Sequence, residues 1–270
     1  MGNFILHPIQ SRLIVISYSI LILILPLYAL FSYASNASWS LILEKATDPI
    51  AVAAYTLTIK MALYTAIINT IFGFIIAWVL TRYNFSGKRI MDAIVDLPLA
   101  LPTSVAGLAL STVFGRNGLF GHILDFYNYE IIYTKRGILL AMIFVSFPFS
   151  VRAIQPILKE INKEEEEAAW SLGSGPLETF KRFIFPIILP AILNGFTLTF
   201  SRSLSEFGSI VMVAGNLPLQ DLVSSVLISQ YLEQYDYIGA CVISIIVLML
   251  ACSVLLFVQI IHSLVVVDSK

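Results

Sequence analysis

The chain has 270 residues, of which 58% are hydrophobic and only 12% are charged. Soluble domains of ordinary composition are about half apolar and about a quarter charged, so this composition excludes an ordinary soluble domain. The net charge of −1 gives no general attraction to nucleic acid. Membrane lipid is therefore the expected surrounding of the chain.

Six stretches of the sequence are long and apolar enough to cross a membrane as helices. About 20 helical residues span the hydrocarbon core of a bilayer, and these stretches lack the period-two alternation of membrane-spanning strands. They lie at about residues 13–33, 55–80, 92–114, 137–158, 187–213 and 238–265. The sequence thus predicts an all-α integral membrane protein with about six transmembrane helices. We expect one domain over residues 1–270, with its core at about 50–265.

Basic residues collect in the loops after the second and fourth stretches and are absent from the loop before the sixth. They are Arg82, Lys88, Arg89, Lys159, Lys163, Lys181 and Arg182. Because such loops favour the cytoplasmic side, both termini are predicted to be cytoplasmic, or stromal in a plastid. No transit peptide rich in Ser and Arg precedes the first stretch, which is expected for synthesis in a bacterium or inside an organelle.

Two prolines mark the third stretch as a candidate gate. Pro98 and Pro102 are predicted to kink the helix and to expose backbone carbonyls to a cavity. Together with Thr103 they are candidate residues of a translocation path or gate, and a kink that serves packing alone is the alternative. Asp92 and Asp96 precede them and are expected at a helix N-terminus or in contact with Arg89.

The loop at about residues 159–186 predicts two short helices bent at a glycine. Asn162 can cap the first helix, with Glu165 completing a capping box. Gly173 suits the left-handed position that ends a helix, and Pro176 suits the first turn of the next one. Small side chains at Ala168 and beside it, with Leu172 one turn on, would let another surface approach closely. The alternative is a solvated amphipathic loop.

The fifth stretch contains two charges at helical spacing. Arg202 and Glu206 are four residues apart and are expected to pair on one helix face. One interpretation is that Arg202, with Ser201, Ser205 and Ser209 nearby, lines an anion path. The other is that the neutralised pair fixes this span against a neighbour, because charges inside a membrane are costly unless they are paired.

The loop also carries a motif. Glu167-Ala168-Ala169, then Gly173, then Phe183-Ile184-Phe185-Pro186, resembles the Glu-Ala-Ala loop of the permeases of ABC importers. The spacing of that family is kept, and Phe183 and Phe185 replace its usual Ile and Leu. The resemblance implies a type I importer permease whose coupling helix enters a groove on an ATPase. It implies coupling roles for Glu167, Ala168, Ala169, Leu172 and Gly173.

Further segments resemble one branch of this family. Asp96–Gly107 and Ser201–Ser209 are similar to segments of sulfate and molybdate permeases, and Val213–Pro218 resembles the T-type subunit of sulfate and thiosulfate importers. The resemblance implies transport of sulfate or thiosulfate. Two alternatives remain at this stage: a molybdate or tungstate permease, and an ion-coupled secondary transporter or channel.

The resemblance also implies partners. They are a second, homologous permease in a heterodimer, two copies of an ABC ATPase and an extracytoplasmic sulfate-binding protein. The sequence contains no Gly-x-x-x-x-Gly-Lys-Ser/Thr loop. We therefore expect the chain to be no enzyme and to bind no cofactor, while ATP and Mg are used by the partner ATPase. Frequent Ile and Asn favour a plastid inner envelope over a bacterial inner membrane.

Overall fold

The computed structural model describes the backbone of residues 8–268 and the side chains of residues 12–260 and 263. All regular secondary structure within this range is helical. The helices are α1 (Pro8–Ser19), α2 (Leu25–Ser35), α3 (Trp39–Thr47), α4 (Pro49–Arg82), α5 (Lys88–Ala100), α6 (Thr103–Phe114), α7 (Gly121–Phe126), α8 (Lys135–Glu160), α9 (Lys163–Ser171), α10 (Pro176–Thr179), α11 (Phe185–Leu204), α12 (Gly208–Val213), α13 (Ser224–Glu233) and α14 (Tyr237–Asp268). Two π-helical turns, Ile20–Ile24 and Phe180–Ile184, join α1 to α2 and α10 to α11.

Within the described residues, six helical segments are long and apolar enough to span a membrane if the bent pair α5–α6 is counted as one. The other five are the continuous segments Arg12–Ser35 and Pro176–Leu204 together with α4, α8 and the apolar part of α14. The predicted all-α class with about six spans is therefore confirmed. Two spans differ from the sequence prediction. The third bends by 111°, and the fifth ends at Leu204 rather than near residue 213.

Proline explains the bend in the third span. Pro98 lies inside α5, whereas Pro102 directly precedes α6. A residue before proline is disfavoured in the helical conformation, and Leu101 accordingly has φ −89° and ψ 135°. The kink that the sequence predicted is therefore a full break between two helices.

Small residues let the three central helices, α4, α8 and α11, approach closely. A Cβ atom on Gly73 of α4 would lie 2.6 Å from the Ser150 hydroxyl of α8. A Cβ on Gly195 of α11 would lie 3.4 Å from Ser150 and Ala153 of α8. Van der Waals packing of this kind drives helix association in membranes, where lipid is as apolar as the side chains.

A buried polar network joins the same three helices. Asn69 of α4 donates hydrogen bonds to the Ile143 carbonyl and to the Ser146 hydroxyl of α8, both at 3.0 Å. The Ser203 hydroxyl of α11 lies 3.1 Å from that of Ser146. Hydrogen bonds between membrane helices are worth about 0.6–2 kcal/mol each. The network thus fixes the register of the three helices.

The first span lies at the periphery. Of its described side chains only Ala34 is buried, and Tyr33 packs edge-on against Tyr237 at the start of α14. The following helix, α3, is fixed by an ion pair of 2.6 Å between Lys45 and Asp236. The hydrogen bond to Asp236 raises the pKa of Lys45. Partial burial raises the pKa of Asp236, but hydrogen bonds from Lys45 and from the Gly239 backbone outweigh it and lower that pKa overall.

Candidate coupling helix and membrane path

The loop between the fourth and fifth spans contains a short exposed helix, α9, that ends at a glycine. Gly173 has φ +92°, and its N–H donates to the carbonyl of Trp170 at 2.9 Å. Pro176 then begins α10. The two helices bent at a glycine are confirmed. The capping box is wrong, because the Asn162 side chain makes no capping hydrogen bond.

The two sides of α9 differ in exposure. Glu166 and Ala169 are half-buried, whereas Glu167, Ala168 and Leu172 are exposed. The Leu172 residue is 89% exposed, an unusual position for a large apolar residue outside an interface. The exposed face therefore combines the small Ala168 with the exposed Leu172, as a docking surface requires.

The inward side of α9 contacts the end of α4. Nη1 of Arg82 lies 2.6 Å from Oε1 of Glu166. Sequence analysis missed this pair, because Arg82 served there only to orient the chain and Glu166 is one of four consecutive glutamates. The acidic run Glu164–Glu167 and the basic end of the second span are the only features of the sequence that hint at this contact. They do not say which glutamate makes it.

The breaks in the third and fifth spans lie side by side. Gly208, the first residue of α12, packs against Thr103 and Ser104, the first residues of α6. One turn further along, a Cβ on Gly107 would lie 2.6 Å from the Ser209 carbonyl. The two short helices therefore run in parallel from the same level. In several transporter folds, helices broken in this way present their N-termini to anionic substrate groups.

Glu206 fixes the break in the fifth span. Its Oε1 accepts hydrogen bonds from the Ser209 backbone N–H at 3.0 Å and from the Ser209 hydroxyl at 2.8 Å. Its Oε2 lies 2.8 Å from Nη2 of Arg202, which confirms the predicted pair. The Glu206 side chain is 2% exposed and that of Arg202 is 26% exposed. Glu206 is thus enclosed, while Arg202 retains an open side.

Some of the remaining candidate path residues lie at the two helix breaks, and others lie inside the neighbouring helices. Ser205 is exposed at the end of α11, 3.5 Å from Nη1 of Arg202. Pro102 is exposed at the break in the third span, where Thr103 is half-buried. Ser201 donates to a carbonyl within its own helix, and Pro98 is buried inside α5. Arg202, Ser205, Glu206 and Ser209 therefore form one group, and Thr103 reaches it through Gly208.

An arginine of α8 binds the acidic pair of α5. Nε and Nη2 of Arg152 each lie 2.7 Å from an oxygen of Asp96, and Nη1 lies 2.7 Å from Asp92. The expectation that these aspartates act at a helix N-terminus or contact Arg89 is wrong. α5 begins at Lys88, so both lie beyond its first turn, and the partner comes from another span. Among the described side chains, no group of three or more His, Cys, Asp or Glu could hold a metal ion.

Comparison with known proteins agrees with this architecture. Residues 69–265 match the family described as "Binding-protein-dependent transport system inner membrane component". A protein of Prototheca wickerhamii named "Probable sulfate transport system permease protein cysT" is 59% identical over 236 residues, covering 87% of this chain and 92% of the relative. A protein of the same name from Marchantia polymorpha is 49% identical over 242 residues, covering 90% and 84%.

Two solved structures share the fold. A bacterial ABC transporter involved in the import of the acidic polysaccharide alginate aligns with a TM-score of 0.77 at 16% identity, covering 94% of this chain and 93% of that one. The MetNI methionine ABC transporter in an inward-facing conformation aligns with a TM-score of 0.60 at 17% identity, covering 87% and 100%. The chain belongs to the family of inner membrane components of binding-protein-dependent transport systems.

Proposed function

We propose that the chain is a permease subunit of an ATP-driven importer that carries sulfate and thiosulfate. The observation that carries the proposal is its identity of 59% with relatives from Prototheca wickerhamii and Chlorella vulgaris, both named as sulfate transport permeases. Each of these matches covers more than four fifths of both chains. The molybdate permease and the secondary transporter lack such support.

Import of a dianion requires an energy source. Moving one charge against a potential of 100 mV costs about 2.3 kcal/mol, so sulfate entering a negative compartment costs about 4–5 kcal/mol. The ATP and Mg that meet this cost belong to two ABC ATPase subunits below the membrane. A second, homologous permease completes the heterodimer, and a sulfate-binding protein delivers the anion from the other side.

The exposed face of α9 is the surface that contacts the ATPase. Ala168 permits close approach, Leu172 supplies apolar area, and Glu167 lies beside them. Gly173 gives the chain its left-handed turn, which lets α9 project from the loop. Ala169, half-buried beside this face, adds a second small side chain that permits close approach.

The sulfate path passes the two helix breaks. Arg202 and Ser205 face its open side, with Pro102 and Thr103 opposite them at the start of α6. Glu206 neutralises part of the Arg202 charge, which lets the anion leave again. Ser209 and Glu206 hold the break open by ending one helix and starting the next.

The protein works in a plastid inner envelope, with both termini on the stromal side. Support comes from the organisms of its relatives, which include Chlorella vulgaris and Marchantia polymorpha. The positions of the basic residues support the orientation.

Labelled sulfate uptake tests the proposed function. The chain and its partner subunits are expressed in a bacterial strain that lacks its own sulfate permease, and thiosulfate or molybdate is added as competitor. We expect ATP-dependent uptake that thiosulfate suppresses and trace molybdate does not. Uptake of molybdate instead would change the substrate, and an assembled complex that moves no oxyanion would refute the proposal.

The docking face is tested in the same strain. Ala168→Trp is expected to abolish uptake, because a bulky side chain prevents close approach of the ATPase. Ala168→Ser keeps the small volume and is expected to transport normally. Normal uptake by a correctly inserted Ala168→Trp protein would contradict the docking role.

A further inference from the structure

One ion pair links the coupling helix to the end of the second span. Arg82, the last residue of α4, contacts Glu166 at 2.6 Å, and their side chains are only 10% and 13% exposed. Among the side chains of residues 12–260, no other ion pair and no hydrogen bond joins α9 to a spanning helix. The electrostatic link between α9 and α4 therefore depends on this contact.

Arg82 has little other compensation for its charge. Its Nε and Nη2 atoms, and Oε1 of Glu166, are buried without a hydrogen-bond partner, so the pair is an electrostatic contact; the guanidinium lies 5.3 Å from the ring centre of Trp78. Separating a largely buried ion pair leaves an uncompensated charge, which is far more costly than separating an exposed pair. We therefore expect α9 and the end of α4 to move together.

Trp78 connects Arg82 to the fifth span. Its ring lies 5.9 Å from that of Phe74 and packs edge-on against Phe180 at 5.7 Å. Phe180 begins the π-helical turn that leads into α11, and it also contacts Phe185. The aromatic cluster Phe74–Trp78–Phe180–Phe185 thus joins the cytoplasmic end of the second span to the start of the fifth.

We propose that the Glu166–Arg82 pair transmits movement of the coupling helix to the second and fifth spans. Glu166 lies on the inward side of α9, opposite the exposed Ala168 and Leu172. When a partner pushes on the outward face, the displacement of α9 is therefore passed to Arg82 through the ion pair. It then reaches the aromatic cluster through Trp78. Both residues are positioning residues. The inference rests on the proposed function, since it assumes that an ATPase contacts the outward face.

The ratio of sulfate transported to ATP hydrolysed measures this role. Arg82→Gln and Glu166→Gln complexes, reconstituted with the partner subunits in vesicles, are expected to assemble and to hydrolyse ATP. Their transport per ATP should fall by about threefold to thirtyfold. Glu165→Gln, at an exposed neighbouring position of the same helix, is the matched control and should retain the wild-type ratio. The exchange Arg82→Glu with Glu166→Arg should recover most of it.

Two outcomes would overturn the inference. One is a wild-type ratio in both single variants. The other is an equal loss of ATPase binding and transport, which would make the pair a structural anchor only. The proposed function fails separately, because in that case the wild-type complex itself would not bind an ATPase or would not transport sulfate. If it transports another solute, the same ratio is measured with that solute.

Discussion

Replacing Arg202 by methionine is expected to destabilise the folded protein by about 3–5 kcal/mol, because it leaves the buried carboxylate of Glu206 without its counter-ion. Glu206 is 2% exposed, so the carboxylate cannot turn to water when its partner is removed. It keeps only the two hydrogen bonds from Ser209. Glu206→Gln should cost less, about 1–2 kcal/mol, because Arg202 is 26% exposed and can be hydrated.

A double-mutant cycle measures this asymmetry. Unfolding of each purified variant is followed by denaturant titration in detergent micelles. We expect Arg202→Met with Glu206→Gln to be more stable than Arg202→Met alone. Lys60→Met serves as the control, since Lys60 is exposed and makes no ion pair among the described side chains. An Arg202→Met protein within about 0.5 kcal/mol of wild type would refute the reasoning.

The same double variant separates the two roles of Arg202. If the arginine contacts the anion, the double variant should fold and assemble but lose most sulfate uptake. Uptake close to wild type in that protein would mean that the pair serves packing alone. The stability measurement therefore tests whether the ion pair holds the fold together, and the transport measurement tests whether Arg202 contacts the anion.

Two further predictions concern close packing and pH. Gly107→Ala should destabilise the protein by about 1–3 kcal/mol, because its Cβ would lie 2.6 Å from the Ser209 carbonyl. Gly175→Ala, with nothing within 4 Å, should be nearly neutral in the same denaturant titration. The pKa of Asp236 is lowered and that of Lys45 raised, so their contact stabilises α3 at neutral pH. That contribution, about 1 kcal/mol at most, should disappear as the pH falls through the lowered pKa of Asp236 or rises through the raised pKa of Lys45. Hydrogen exchange of α3 against pH measures it, and Asp236→Asn should show no such acid-side change.

The existence of the spans could be predicted from the sequence because that information is local. A run of apolar residues of sufficient length specifies a helix in lipid whatever its neighbours are. The turn at Gly173 and the helix start at Pro176 are local in the same sense, since each depends on the backbone preference of one residue. The pairing of Arg202 with Glu206 follows from helical spacing alone.

The contacts between spans could not be predicted in this way. Arg152 is 60 positions from Asp92 and 56 from Asp96, and a single sequence does not say which of several basic residues comes near an acidic one. The end of the fifth span was missed for a related reason. The apolar run continues past Leu204, but Glu206 binds the Ser209 N–H and thereby starts a new helix.

The arginine–carboxylate pairs between different helices lie away from the small residues that pack α4, α8 and α11. Gly73, Gly195 and the hydrogen bonds of Asn69 join α4, α8 and α11, where tight packing resists separation. Arginine–carboxylate pairs instead fix the pieces around this core: α5 to α8 through Arg152, and α9 to α4 through Arg82. A packed interface loses contacts as soon as it opens, whereas long charged side chains can maintain or exchange partners over a few ångströms. We therefore expect α5 to move relative to α8 during transport, while α9 moves together with the end of α4 and the three central helices keep their packing.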